Sequence, residues 1–311
     1  MENKKKSSVF KTMLFCLAMI VLVLLSFFQA VFGNQNEQPK KNISVVLYSA
    51  GDGGWESLEQ GIKQAQNDFS VNINYIVLHK DGKAAEQMKA IEREVADGAE
   101  GILVAVENAE RFYDLWMNKK FDVPTVFLES GFEEAAFPTI SADNYEMGKT
   151  LGEKILQDFS WKECPVIALE SGDTSRNSVE QREQGFLESL KGKASVISIE
   201  EAENGEAADA VAALDKKSLL EVADSENTFL ADMKKYGIGN TASIVAALEH
   251  QKIEKIVFQN EFNMGYIAVE TLVDKINGIE KKEIDSIDFY CVDAEEIYHV
   301  PYEHLLFPIV E

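Results

Sequence analysis

The stretch VVLYSAGDGGWESLEQGIKQA, Val45 to Ala65, decides the fold: an apolar run passes through a glycine-rich loop into a helical pattern. After the loop Trp55, Leu58, Ile62, Ala65 and Phe69 recur at steps of three and four, the stripe of a helix with one buried face. A strand, a tight turn and a helix in that order is the opening unit of a parallel α/β sheet, and also the order used by phosphate-binding loops. Phosphate fits poorly. Gly51 and Gly53 are followed by Glu56 where a dinucleotide fingerprint needs a third glycine, and a carboxylate there repels pyrophosphate. The Lys-Ser/Thr of a P-loop is also missing.

The alternation continues outward. INYIVL (73–78), GILVAV (101–106) and VPTVFLES (123–130) read as strands, and a helix striped by Ala84, Met88, Ile91 and Val95 and another near 108–119 lie between them. The pattern then restarts. A helix over 144–159 leads to PVIALE (165–170), a helix near 178–191, SVISIE (195–200) and DAVAALD (209–215). FLADMKKYGIGN (229–240), a helix over 242–250, KIVFQ (255–259) and a helix over 265–276 complete the second half. Repeated strand–helix–strand order predicts parallel sheets covered on both faces, in two α/β lobes.

At the front, Lys4, Lys5, Lys6 and Lys11 precede an uncharged run from Met13 to Phe32. About 20 apolar residues suffice to span a bilayer, longer than the usual core of a cleaved signal, so residues 1–33 are expected to be an uncleaved signal anchor. Small residues at Val31 and Gly33 keep cleavage open as the alternative. Lysines before the run place the rest of the chain outside the cytoplasm. Residues 34–41 read as a short linker, and 42–311 as the working part. Residues 1–33 carry four lysines against one glutamate, so of the net charge of −23 the remainder holds −26. Such a surface repels nucleic acid and anionic membranes. Cys164 and Cys291, with no Cys-x-x-Cys spacing, are expected to be unpaired thiols, a single 164–291 bridge being the alternative.

Metal and serine-hydrolase patterns are absent from the sequence, while a carboxylate pair for glycoside cleavage is not decided by sequence spacing. His79, His250, His299 and His304 have no metal spacing, and no Gly-x-Ser-x-Gly elbow occurs, so neither an enzyme nor a cofactor is expected. Trp55, beside a glycine-rich turn at a strand's C-terminal edge, has two readings: a stacking surface for a sugar ring, or the first core residue of its helix.

The first strand and loop with an aromatic six residues before Gly61, together with DGAEGILVAV, VPTVFLES, ISADNYEMGK, VEQREQGF, YGIGN and QNEFNMGYIAVETL, resemble in order and spacing a type I periplasmic binding protein of the ribose-binding sort. The resemblance implies two doubly wound lobes joined by three crossings, closing on a ligand. It puts lobe one at about 42–139 and 260–284, lobe two at 140–259, and a hinge-crossing tail at 285–311. It implies ligand contacts from Asp52 and Trp55 in the first loop, Glu107 after the third strand, Glu129, Asp215, Asn240 and Gln259. The family's usual cleft arginine is replaced by Glu180, or supplied by Arg176 if the loop is one residue longer; Arg182 matches a position that is more often structural. With Asp52, Glu107, Glu129 and Asp215 kept and arginines lost, the cleft is expected to be acidic and its ligand neutral to cationic, such as an amino sugar. The implied function is extracytoplasmic capture of a small polyhydroxylated ligand for an ABC-type permease. The alternative is a membrane-anchored sensory accessory of a histidine kinase.

Overall fold

The computed structural model describes residues 17, 19–27, 40–49, 54–78, 83–119, 121–131, 138–205, 207–227, 230, 232–279 and 286–307. Leu17 and 19–27 form an exposed apolar helical stretch. The rest of the Met13–Phe32 run lies outside the described residues. Among those residues no helix is long and apolar enough to cross a membrane.

From Lys41 onward the chain is one compact unit holding two sheets. The first half contributes β1 (Asn42–Leu47), α1 (Glu56–Asp68), β2 (Asn72–Val77), α2 (Ala84–Ala96), β3 (Gly101–Val104), α3 (Ala109–Met117), β4 (Thr125–Leu128) and β5 (Thr139–Ile140). Its five strands run parallel in the order β2-β1-β3-β4-β5, and β1, β3 and β4 are almost wholly buried, as strands covered on both faces must be. The predicted stripe is the buried face of α1, with Leu58, Ile62 and Ala65 at zero exposure.

The second half runs through α4 (Asn144–Asp158), β6 (Val166–Glu170), α5 (Asn177–Leu190), β7 (Ser195–Ser198), α6 (Ile199–Glu203), β8 (Ala210–Ala213), α7 (Lys216–Ala223), β9 (Lys234–Ile238), α8 (Ala242–Glu249) and β10 (Lys255–Gln259). The last elements are α9 (Glu261–Ile276), β11 (Phe289–Asp293) and α10 (Tyr302–Leu306). The second sheet has the order β11-β10-β9-β8-β6-β7, parallel except for β11, which pairs antiparallel with β10 from the sheet edge. The expected strand over 195–200 stops at Ser198. There a capping box forms, Ser198 Oγ accepting from Glu201 N at 3.2 Å while Glu201 Oε2 accepts from Ser198 N at 2.7 Å, and a helix begins instead.

Three crossings connect the lobes. The chain passes from β5 to α4, where Ala142 bridges Ile287 and Ile287 N donates to Ser141 O at 3.0 Å. It passes from β10 to α9, where Asn260 N donates to Asp288 O at 2.9 Å, and it returns through 286–288 into β11. α9 follows the second sheet's β10 yet packs on α1, β3 and β4 of the first lobe. Contact between α1 and α9 is backbone-close at glycine: a Cβ on Gly61 would lie 1.9 Å from Phe262 O. The second lobe repeats the device with α4 on α5, where a Cβ on Gly185 would lie 2.0 Å from Tyr145 O.

Cys164 is exposed, Cys291 is half-buried, and both are free thiols, which removes the alternative bridge. Burial pushes the Cys291 thiol up to about 11.

Candidate functional site

The C-terminal ends of the parallel strands of both sheets face one another across a cavity of about 400 Å³. Ligands of α/β sheets sit at that edge because the strand-to-helix turns there present side chains and backbone groups to one space. Lobe one lines the cavity with Tyr48 after β1, Trp55 before α1, Glu107 after β3 and Glu129 after β4. Lobe two lines it with Glu170 and Asp173 around the end of β6, Arg176 before α5, and Asp215 and Lys216 after β8.

A buried charged network forms its floor. Arg176 Nη1 donates to the Tyr48 hydroxyl at 2.9 Å, and Tyr48 donates onward to Glu129 Oε2 at 2.6 Å. Glu129 Oε1 accepts from Arg182 Nη2 at 2.7 Å and, more weakly, from Gln259 Nε2 at 3.4 Å. Arg176 Nη2 reaches Asp215 Oδ2 at 2.6 Å. Asp215 is also the N-cap of α7, accepting from Ser218 N at 2.8 Å. Arg182, on α5, is tied further by Nε to Asn144 Oδ1 at 2.8 Å.

The charges set one another's protonation. Burial would raise Glu129, but Arg182, Arg176 and Lys216, with the Tyr48 hydroxyl, hold it down at about 2. Burial likewise opposes ionisation of Asp215, and Arg176 with the Ser218 and Asp173 amides overcomes it, leaving a lowered carboxyl. The Tyr48 phenol is pushed up, first by burial and then by Glu129, against Arg176. Glu107 is raised by partial burial and by Asp173 facing it from the other lobe. Glu129 holds this position with φ of 60°, a left-handed backbone that a glutamate rarely adopts, and such strain collects at sites that need one side chain fixed.

The residues singled out in the sequence fall into four groups. Trp55, Glu107, Glu129, Arg176 and Asp215 line the main cavity. Asn240 and Gln259 line a second space of about 10 Å³ on the hinge side, which shares Glu129 and Arg182 with the first. Asp52 lies outside the described residues. Glu180 is corrected: it is exposed in the first turn of α5, while the longer loop delivers Arg176, as its N-cap residue, into the cavity. The expected loss of arginines is met only in part: Arg176 lines the cavity, as does the retained Arg182, and each neutralises a buried carboxylate. Six carboxylates still line it against four cations, so the excess is mild. Trp55 is only 5% exposed; its indole N–H donates to Tyr48 O at 2.7 Å and its ring meets Tyr48 edge-on at 4.9 Å.

Tyr48, Glu170, Asp173 and Lys216 are site residues that the sequence does not single out. Tyr48 ends an apolar strand and reads as core; what marks it is a hydroxyl at the strand's C-terminal edge. Lys216 reads as a solvated lysine following a helix cap. Among the described residues no group of three or more His, Cys, Asp or Glu is placed to hold a metal ion. Hydrogen-bond donors and acceptors dominate the walls, an arrangement suited to binding a small polar molecule on many sides.

A family model described as a periplasmic binding protein domain matches residues 43–280. The galactofuranose-binding protein YtfQ of Escherichia coli (strain K12) is 24% identical over 145 residues, 45% of this chain and 45% of its own length. The alignment therefore spans less than half of that relative. GanP, a glucose-galactose binding protein from Geobacillus stearothermophilus, is 17% identical with a TM-score of 0.73, covering 85% of this chain and 100% of its own. A carbohydrate transporter solute binding protein from Agrobacterium Radiobacter, solved in complex with D-arabinose, is 18% identical with a TM-score of 0.77, covering 87% and 100%. At such identities the two structures attest the fold.

Proposed function

The chain belongs to the periplasmic binding protein family, and we propose that it captures a neutral monosaccharide between its lobes, outside the cytoplasm, for delivery to an ABC-type permease. The observation that carries this is the cavity of about 400 Å³ at the strand ends, of a size suited to a small ligand, with charged hydrogen-bonding groups from both lobes. Its two arginines are already balanced by Glu129 and Asp215. They therefore offer directed N–H donors to sugar hydroxyls without demanding an anion. The unpaired excess of carboxylate disfavours uronic acids. YtfQ, GanP and the Agrobacterium protein bind galactofuranose, glucose or galactose, and arabinose, which points the same way.

Ligand contact is assigned to Trp55, Glu107, Arg176 and Asp215 on the cavity wall, with Glu129 behind them. The family resemblance adds Asp52 to the contacts, and Asn240 and Gln259 act from the hinge side. No turnover of the sugar is proposed, since the site's carboxylates serve as acceptors and ion-pair partners. The lysine-led apolar run Met13–Phe32 supports an address outside the cytoplasm, whether it is removed or kept as an anchor.

Thermal denaturation against neutral aldoses, glucosamine and glucuronate tests the reading. Ligand bound only to the folded state stabilises by RT ln(1 + [L]/Kd), about 2.7 kcal/mol at a hundredfold excess, which is a shift of several degrees. A neutral sugar is expected to give that shift and glucuronate none. A shift with glucosamine alone would restore the cationic ligand, and a shift with glucuronate would overturn the charge argument.

A further inference from the structure

Lys216 is the first residue of α7 in lobe two, yet its ammonium is seated in lobe one. Nζ donates to Gly54 O at 2.6 Å, ion-pairs with Glu261 at the start of α9, and stands 5.6 Å from the centre of the Trp55 ring. Gly54 and Trp55 lead into α1, and α9 packs on α1, so all three contacts belong to one rigid part of lobe one. The socket is closed: side-chain exposure is 14% for Lys216 and 3% for Glu261. Burial pushes the Glu261 carboxyl up and the Lys216 ammonium opposes it, so parting the lobes removes the cation that favours the charged form and leaves the ammonium in need of water or a new partner.

We propose that Lys216 is the latch of the cleft, a positioning residue that holds the two lobes closed by inserting its ammonium into the Gly54–Trp55–Glu261 socket. This goes beyond the sugar reading and is tested with no sugar present. The readout is hydrogen exchange at the Ala109 amide, which donates to Ser175 O across the lobes at 3.1 Å and, as the first residue of α3, is set apart from the helix's own ladder. In the full chain Lys216→Met is expected to raise exchange at Ala109 by about tenfold or more, the effect of losing one charged hydrogen bond, while amides of β1 and β6 keep wild-type rates. Glu261→Gln is expected to act at the same amide in the same direction. The variant Lys191→Met, at an exposed residue at the far end of α5, should leave Ala109 unchanged. Wild-type exchange at Ala109 in both socket variants overturns the proposal. A rise that extends to β1 and β6 in both also overturns it, because the pair would then be a requirement of folding rather than of closure. If only Lys216→Met loosens the whole chain, Glu261→Gln decides on the same readout.

Discussion

Replacing Glu129 by glutamine separates the work of its charge from that of its shape. Glutamine is close to a protonated Glu129, so the stability gap between wild type and variant is the contribution of ionisation. Against burial, the neighbouring Arg182, Arg176 and Lys216 hold the carboxyl at about 2 where an ordinary glutamate stands at 4.5. At about 1.4 kcal/mol per unit, the ionised form contributes about 3 kcal/mol at pH 7. The folded value is the depressed one, so the contribution is fully present above the unfolded value. It is lost as pH falls from about 5 toward 2. Linkage leaves less than half of it at pH 3. Urea titrations of both proteins at pH 7, 5, 4 and 3 give the gap directly, since the other carboxylates titrate in both. A gap that is as large at pH 3 as at pH 7 would refute the claim that the arginines stabilise the charged form. No gap at pH 7 would refute the network's energetic role altogether.

Four further outcomes are expected. Gly185→Ala pushes a methyl to within 2.0 Å of Tyr145 O and should lower stability by about 1–3 kcal/mol, measured by thermal melting; an unchanged melting temperature would mean that α4 and α5 slide apart freely. Arg176→Met removes the donor to Tyr48 and Asp215 and should weaken binding of whichever sugar stabilises the wild type by about 10- to 100-fold in calorimetry. Trp116→Ala empties a pocket walled by Phe112, Phe121 and Phe127, and should cost about 3–5 kcal/mol in urea denaturation. At pH 8 a thiol reagent should modify Cys164 well before Cys291, whose thiol burial holds at about 11; a 164–291 disulfide in the mass spectrum would contradict the placement.

The sheets were legible because their signals are local. Continuous apolar runs at β1, β3 and β4 and three-four spacing on α1 follow from burial of whole faces, which any α/β arrangement of this chain would require. The cavity lining was legible only at positions that a strand's C-terminal edge fixes, such as Glu107, Glu129 and Asp215. Arg176 against Glu180 turned on one residue of loop length, and no periodicity counts residues in a loop. Lys216 and Tyr48 depend on what the other lobe puts opposite them, Glu261 some 45 residues away and Arg176 some 128 residues away. The acidity of the cleft is milder than the sequence implies for a related reason: net charge by sequence ignores pairing, and Arg182, taken from its position as structural, neutralises Glu129 from inside the cavity.

Direct ties between the lobes change what a ligand has to supply. Arg176 to Tyr48, Arg182 to Glu129 and Lys216 to its socket all join opposite lobes before any sugar contact is counted. A ligand shifts the open–closed balance only by its differential affinity for the two forms, and apparent affinity falls with the fraction of the competent form. If the closed form binds, ties that favour it reduce the share of binding energy spent on closing, so modest contacts to sugar hydroxyls suffice for tight capture. The same ties slow entry and exit, because each opening breaks charged pairs. Weakening Lys216 should therefore separate the two effects: sugar dissociation, followed by stopped-flow fluorescence of Trp55 beside the socket, should quicken by about as much as Ala109 exchange does. Dissociation that stays at the wild-type rate while Ala109 exchange rises would mean that the sugar leaves without the lobes parting.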